Sequence, residues 1–126
     1  LHKNNIMGEN VTVAVLDTGI YNHPDFGERI IKYKDFVNGK TAIYDDEGHG
    51  THVTGILAGD GKMSNGFFKG IAPKSDIVSL KVLDKRGIGK EDNVISGIWW
   101  IIDNGKKVDL STPGKLYDYL IQCMEV

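Results

Sequence analysis

The sequence has little of three things on which whole classes of protein depend: cysteine, an excess of one charge, and long apolar runs. Cys123 is the only cysteine, which excludes an internal disulfide framework and a metal site built from several cysteines. Fifteen basic residues stand against 17 acidic ones, so the chain has no electrostatic footprint for nucleic acid or an anionic membrane. The longest run of large apolar residues, Ile98 to Ile102, is far below the roughly 20 residues of a membrane span. We therefore expect neither nucleic acid nor a membrane as partner.

What is present is an ordinary globular composition, long enough for one domain with a core. An apolar, β-branched run at 11–16 lacks strict alternation, which is typical of a strand buried on both faces of a parallel sheet. Further strands are predicted at 29–37, 76–83 and 107–110, and helices at 50–58 and 91–104. Alternating strands and helices predict βαβ units, hence an α/β fold with a parallel sheet.

Both predicted helices carry more specific expectations. The second should stop at Gly105 and present one apolar face to the core, formed by Val94, Ile95, Ile98, Ile101 and Ile102. In the first helix, Gly50 and Gly55 would let another backbone approach closely.

Acids, histidines and glycines are concentrated in one stretch, DDEGHGTHVTGILAG, at 45–59. Functional groups of parallel sheets gather where strands end, and VAVLDTG puts Asp17 at such an end. His49 stands where a glycine-flanked loop leads into a helix, so its ring can be both exposed and aimed. A carboxylate that fixes one imidazole nitrogen leaves the other free to take a proton from a nucleophile. We predict this pairing for Asp17 and His49; otherwise Asp17 caps its own turn, with Gly19 in a strained conformation.

The neighbouring polar residues are given structural roles. His52 is predicted to be a packed histidine that bonds a backbone carbonyl. Asp45 and Asp46 are expected on a solvated loop face rather than as cation ligands. A zinc site from Asp17, His49 and His52 is disfavoured, because HGTH is one residue short of the usual HxxxH spacing and has no Glu between. We expect no metal and no cofactor.

Several segments resemble the subtilisin-like serine peptidases. VAVLDTGIYNHPDF is similar to the aspartate segment of that family, and GHGTHVTGILAG to its histidine segment. The spacing of Asp17 and His49 also equals that of the corresponding residues in subtilisin. KGIAPKSDIVSLKVLDKRGIG resembles the third strand and substrate-binding edge. The resemblance implies a three-layer α/β fold of which residues 1–110 would be roughly the N-terminal half, with 111–126 an unassigned tail.

By this resemblance the protein is a serine endopeptidase that acts on polypeptides, with Asp17 and His49 as two members of an Asp-His-Ser triad. Leu83 would line a substrate subsite. The backbone edge that pairs with an extended substrate would be formed by Gly87, Ile88 and Gly89. Without the resemblance, KRGIG reads as a turn after a strand.

The sequence departs from the family where the nucleophile is concerned. It contains neither a GTSMA-like serine motif nor the asparagine that binds the oxyanion. In subtilisin the serine follows the histidine by about 157 residues, more than all those that follow His49. None of the five serines fits the role, and Ser111 precedes Thr112-Pro113 without a helix start. Truncation, an internal deletion and a frameshift would each explain this.

Two hypotheses therefore stay open. The chain is part of a serine endopeptidase and is inactive alone, or it is a non-catalytic peptide-binding or regulatory remnant. In either case the missing half of the fold would leave apolar surface exposed, and we expect self-association through it.

Two other interpretations are disfavoured. An apolar pair before DTG is also the signature of aspartic peptidases, in which two aspartates share the chemistry, but those enzymes are all β. Structural calcium is frequent in the subtilisin-like family, but residues 60–70 lack the dense acids and amides that this cation needs.

Overall fold

Three six-residue strands form a parallel sheet in the order β1-β3-β2. In the computed structural model, which describes residue 2 and residues 5–105, the strands are β1 (Thr12–Asp17), β2 (Ile30–Asp35) and β3 (Asp76–Lys81). Helix α1 (His49–Ala58) follows β2, and helix α2 (Glu91–Asn104) follows β3. The predicted α/β fold with a parallel sheet is thereby confirmed. The strand predicted at 107–110 and the tail at 111–126 lie outside the described residues.

The two faces of the sheet carry separate cores, because successive residues of a strand point to opposite faces. One core contains α2 and consists of Ala14, Leu16, Val78, Leu80, Val82 and Ile101, all buried. The other contains α1 and consists of Ile20, Phe26, Ala58 and Ile77. The two helices therefore lie on opposite faces, and the molecule has three layers. In the part of the chain that the structure describes, no helix is long and apolar enough to cross a membrane.

Strands β2 and β3 both end earlier than the sequence indicated, and hydrogen bonds at their last residues explain this. Beyond Lys81, two successive N–H groups donate to one carbonyl, that of Asp17, at 3.0 and 3.1 Å, so the ladder cannot continue. Beyond Asp35, the chain turns because this carboxylate accepts three backbone N–H groups at 2.8–3.2 Å, from Val37, Asn38 and Lys40.

The predicted apolar face of α2 is correct at its centre and wrong at its side. The residues of α2 that face the core have the spacing i, i+3, i+4, i+7 and are Val94, Gly97, Ile98 and Ile101. Gly97 allows the helix to pack closely against the sheet, since a Cβ there would lie 3.0 Å from a methyl of Val82. Ile95 and Ile102 instead share a neighbouring stripe with Trp99 and are 44%, 54% and 58% exposed, respectively.

Candidate active site

The carboxylate of Asp17 and the imidazole of His49 form a hydrogen-bonded pair. Asp17 ends β1 and is 2% exposed, whereas His49 begins α1 with 35% of its side chain exposed. His49 Nδ1 lies 2.8 and 3.0 Å from the two carboxylate oxygens. The N–H of Thr18 donates to the same carboxylate at 2.7 Å. No described residue bonds Nε2, so the pair is a base held by a buried acid with its second nitrogen available.

Helix α1 is held in place by side chains that accept its first three backbone N–H groups. Such groups have no partner within a helix and need one from elsewhere. His49 N–H donates to Glu47 at 2.7 Å, and the next two donate to Thr18 Oγ1 at 2.8 Å and Asp45 Oδ2 at 2.9 Å. Sequence reasoning missed all three acceptors. Acids just before a helix are a recognised capping signal, but Thr18 lies 32 residues before Gly50 and only folding reveals its role.

The prediction that Asp45 and Asp46 lie on a solvated loop face is wrong for Asp45, whereas Asp46 is exposed as predicted. Asp45 accepts from the Thr18 hydroxyl at 2.8 Å, the Gly48 N–H at 2.8 Å, and both the N–H and hydroxyl of Thr51. Burial raises the pKa of Asp45, but these hydrogen bonds outweigh it and lower the pKa to about 2. Asp46 is paired with Lys81 at 2.8 Å. Both acids are tied to the loops around Asp17.

A glycine contact brings the start of α1 against the turn after β1. A Cβ at Gly50 would lie 2.3 Å from the carbonyl oxygen of Gly19. Gly19 has the positive φ of +117° that its predicted strain requires, and a Cβ there would meet the carbonyl of Tyr44 at 2.2 Å. The close approach predicted at Gly50 is confirmed. At Gly55 it is wrong, because a Cβ there meets nothing within 4 Å.

This contrast predicts opposite effects of the same substitution in one helix. Gly50→Ala should lower the free energy of unfolding by about 2 kcal/mol or more, because backbone must move to admit the methyl group. Gly55→Ala is the matched control and should raise it by roughly 0.5–1 kcal/mol through helix propensity. Urea denaturation measures both. Equal effects of the two substitutions would contradict the observed contact.

The hydrogen bond to Asp17 raises the pKa of His49; burial opposes it, and the charges of Asp17, Glu47 and Asp45 add to it. Because the folded value lies above the unfolded value of about 6.5, protonated His49 favours the folded state. The contribution of His49 to the free energy of unfolding is complete below pH 6.5. It is lost as the pH rises through the pKa of His49 in the folded state. We expect the free energy of unfolding to fall over that window, and the fall to be abolished in Asp17→Asn. Urea denaturation at a series of pH values from 5 to 9 tests this. The same decrease in the free energy of unfolding with pH in Asp17→Asn would refute it.

Comparison with known proteins decides the family. The family model described as the Subtilase family matches residues 8–111. The chain belongs to the subtilase family.

Several subtilases are similar to it. Serine protease AprX of Bacillus subtilis (strain 168) is 50% identical over 97 residues, which are 77% of this chain and 22% of that protein. Thermitase of Thermoactinomyces vulgaris is 38% identical over 102 residues, 80% of this chain and 36% of the relative. A solved cold-adapted subtilisin-like serine proteinase matches with a TM-score of 0.70 and 39% identity, over 79% of this chain and 34% of that one. The subtilisin-like fold is thereby confirmed, and the chain spans well under half the length of these relatives.

The residues predicted from the subtilase resemblance to bind substrate form one turn after β3. Asp84 closes this turn, since its N–H donates to the Ile88 carbonyl at 2.9 Å and its carboxylate accepts the Ile88 N–H at 3.0 Å. The C=O of Gly87 and the N–H of Gly89 bond no described residue, and both glycines are exposed. Leu83 is half-buried and lies beside Asp17, to whose carbonyl its N–H donates at 3.1 Å. The substrate-binding roles of these residues stay predictions.

His52 is not the packed histidine that the sequence suggested. Helix α1 turns Gly50, Thr54 and Ala58 towards the molecule, which leaves His52 exposed. Its ring lines an open pocket with His23 and Phe68, and no described carbonyl accepts from it. Among the described residues, no group of three or more His, Cys, Asp or Glu side chains is placed to hold a metal ion.

Proposed function

We propose that this chain belongs to the catalytic domain of a serine endopeptidase and carries two members of its triad, Asp17 and His49. The observation that supports this is the 2.8 Å hydrogen bond from His49 Nδ1 to a carboxylate that is 2% exposed. The subtilase relatives, several of which are named as serine proteases, support the same activity. The serine and the oxyanion donors would come from sequence beyond these 126 residues.

The chemistry follows from which imidazole nitrogen is fixed. With its proton on Nδ1 facing Asp17, neutral His49 presents a lone pair on Nε2. That nitrogen takes the proton of the serine hydroxyl as the hydroxyl attacks the peptide carbonyl, and later gives it to the leaving amine. Asp17 accepts the Nδ1 hydrogen and stabilises the imidazolium that forms between these steps. The same hydrogen bond to Asp17 raises the pKa of His49, because it stabilises the imidazolium relative to the neutral ring.

We propose an extended polypeptide as substrate, bound along the turn formed by Gly87, Ile88 and Gly89. The backbone groups of Ile88 are used inside the turn, so the flanking Gly87 C=O and Gly89 N–H point to the other side, as alternate groups of a strand edge do. We assign residues 1–110 to the catalytic domain and leave 111–126 unassigned. Self-association stays a prediction, which the exposed Trp99 stripe of α2 supports.

A chimera tests the proposed function. Residues 8–110 of this chain replace the matching segment of a complete subtilase such as AprX, which supplies serine, oxyanion donors and specificity pocket. We expect the chimera to hydrolyse casein and to react with a serine-directed phosphonylating probe. A folded chimera that does neither would contradict the enzyme assignment and favour the alternative, a non-catalytic peptide-binding remnant.

A further inference from the structure

Lys81 is a charged residue in the middle of the molecule that the proposed mechanism does not use. It is 0% exposed and ends the central strand β3, in register with Asp17 of β1. An unpaired ammonium group at such a position is very costly. Here Nζ donates to three acceptors, the carbonyls of Thr18 and Leu83 at 2.7 Å each and Asp46 Oδ1 at 2.8 Å. All three ammonium hydrogens are therefore used.

Each of these acceptors belongs to a segment that holds the Asp17–His49 pair or the predicted substrate edge. Thr18 donates its N–H to the Asp17 carboxylate and accepts the Gly50 N–H through its hydroxyl. Leu83 donates its N–H to the Asp17 carbonyl and leads into the turn at 87–89. Asp46 lies in the loop that leads into α1. The ammonium group is the one point at which these three segments meet through side-chain hydrogen bonds among the described residues.

We propose that Lys81 is a positioning residue, which fixes the Thr18, Leu83 and Asp46 segments to one another and thereby sets the Asp17–His49 hydrogen bond. A long side chain with three N–H donors suits this role. It extends past the end of β3, and its ammonium group can donate to three surrounding oxygens at once. The catalytic meaning of this inference rests on the proposed function. The geometry itself is tested in the 126-residue chain without any protease activity.

The test compares Lys81→Met with Val78→Ala by NMR titration of the His49 ring, with thermal unfolding of each variant recorded. Val78 is buried in the same strand but on the opposite face, so its variant reports loss of stability alone. Loss of positioning should lower the pKa of His49 towards the free-imidazole value of about 6.5. Removing a nearby positive charge has the opposite sign, since it favours the imidazolium. A fall in folded Lys81→Met beyond that in Val78→Ala supports the proposal, and any other result overturns it.

A second pair of variants serves if Lys81→Met does not fold. Asp46→Asn and Asp46→Ala remove the same charge, but only asparagine keeps an oxygen that accepts from Nζ. The proposal predicts a lower His49 pKa in Asp46→Ala than in Asp46→Asn, and equal values overturn it. Neither outcome depends on proteolysis, so failure here is distinct from an inactive chimera, which would overturn the proposed function alone.

Discussion

We expect His49→Ala to lower the kcat of the chimera by about 10⁶-fold and Asp17→Asn to lower it by about 10⁴-fold, the magnitudes known for such changes in serine peptidases of this kind. The loss for His49→Ala is larger because it removes the group that takes the serine proton, whereas Asp17→Asn leaves that imidazole in place. Asparagine at position 17 keeps the shape of the side chain but removes the charge and favours the wrong imidazole tautomer. Both variants should leave KM nearly unchanged, since neither side chain provides uniform substrate binding.

His52→Ala is the matched control for this experiment. It lies in the same helix, three residues from His49, is exposed, and bonds no described carbonyl. Casein hydrolysis by this variant should stay within about twofold of the chimera, because exposed substitutions rarely disturb a fold. If the His52 variant lost activity as completely as the His49 variant, the assignment of the base would be wrong. Circular dichroism checks that all the variants are folded.

The 126-residue chain alone should show no peptide hydrolysis above background and no labelling by the phosphonylating probe. Of its described serines, Ser64 and Ser75 donate their hydroxyls to local carbonyls, Ser79 is buried in β3, and Ser96 is exposed on α2. None of them bonds His49. Without a nucleophile and an oxyanion site, the remaining Asp17–His49 pair has nothing to deprotonate.

The chimera, assayed with the same probe and substrate, is the positive control for that experiment. Labelling of the isolated chain that His49→Ala abolishes would contradict the prediction and identify an unrecognised nucleophile. Ser111, which lies outside the described residues, is the first residue to replace by alanine in that case. Mass spectrometry of the labelled peptide would locate the modified hydroxyl directly.

The sequence by itself determined the layered fold and the pairing of Asp17 with His49. Short β-branched apolar runs that alternate with helical patterns predict buried parallel strands, and α1 and α2 begin at or within one residue of the predicted positions. Asp17 and His49 were found because each follows a local signal, a strand end and a glycine-flanked helix start. The signals are local because strand burial, turns and helix starts depend on adjacent residues.

Only the tertiary structure decided what surrounds that pair. The roles of Thr18, Asp45 and Lys81 depend on hydrogen bonds between residues that are 27 to 63 positions apart in the chain. The residues next to each of them in sequence do not indicate which distant group it will bond. Packing also decided the exposure of Ile95, Ile102 and His52. An apolar stripe indicates the centre of the buried face of a helix, but neighbouring elements decide how far that face is covered. A buried ammonium is tolerated at Lys81 because folding brings three oxygens to one point, and that convergence exists only in three dimensions.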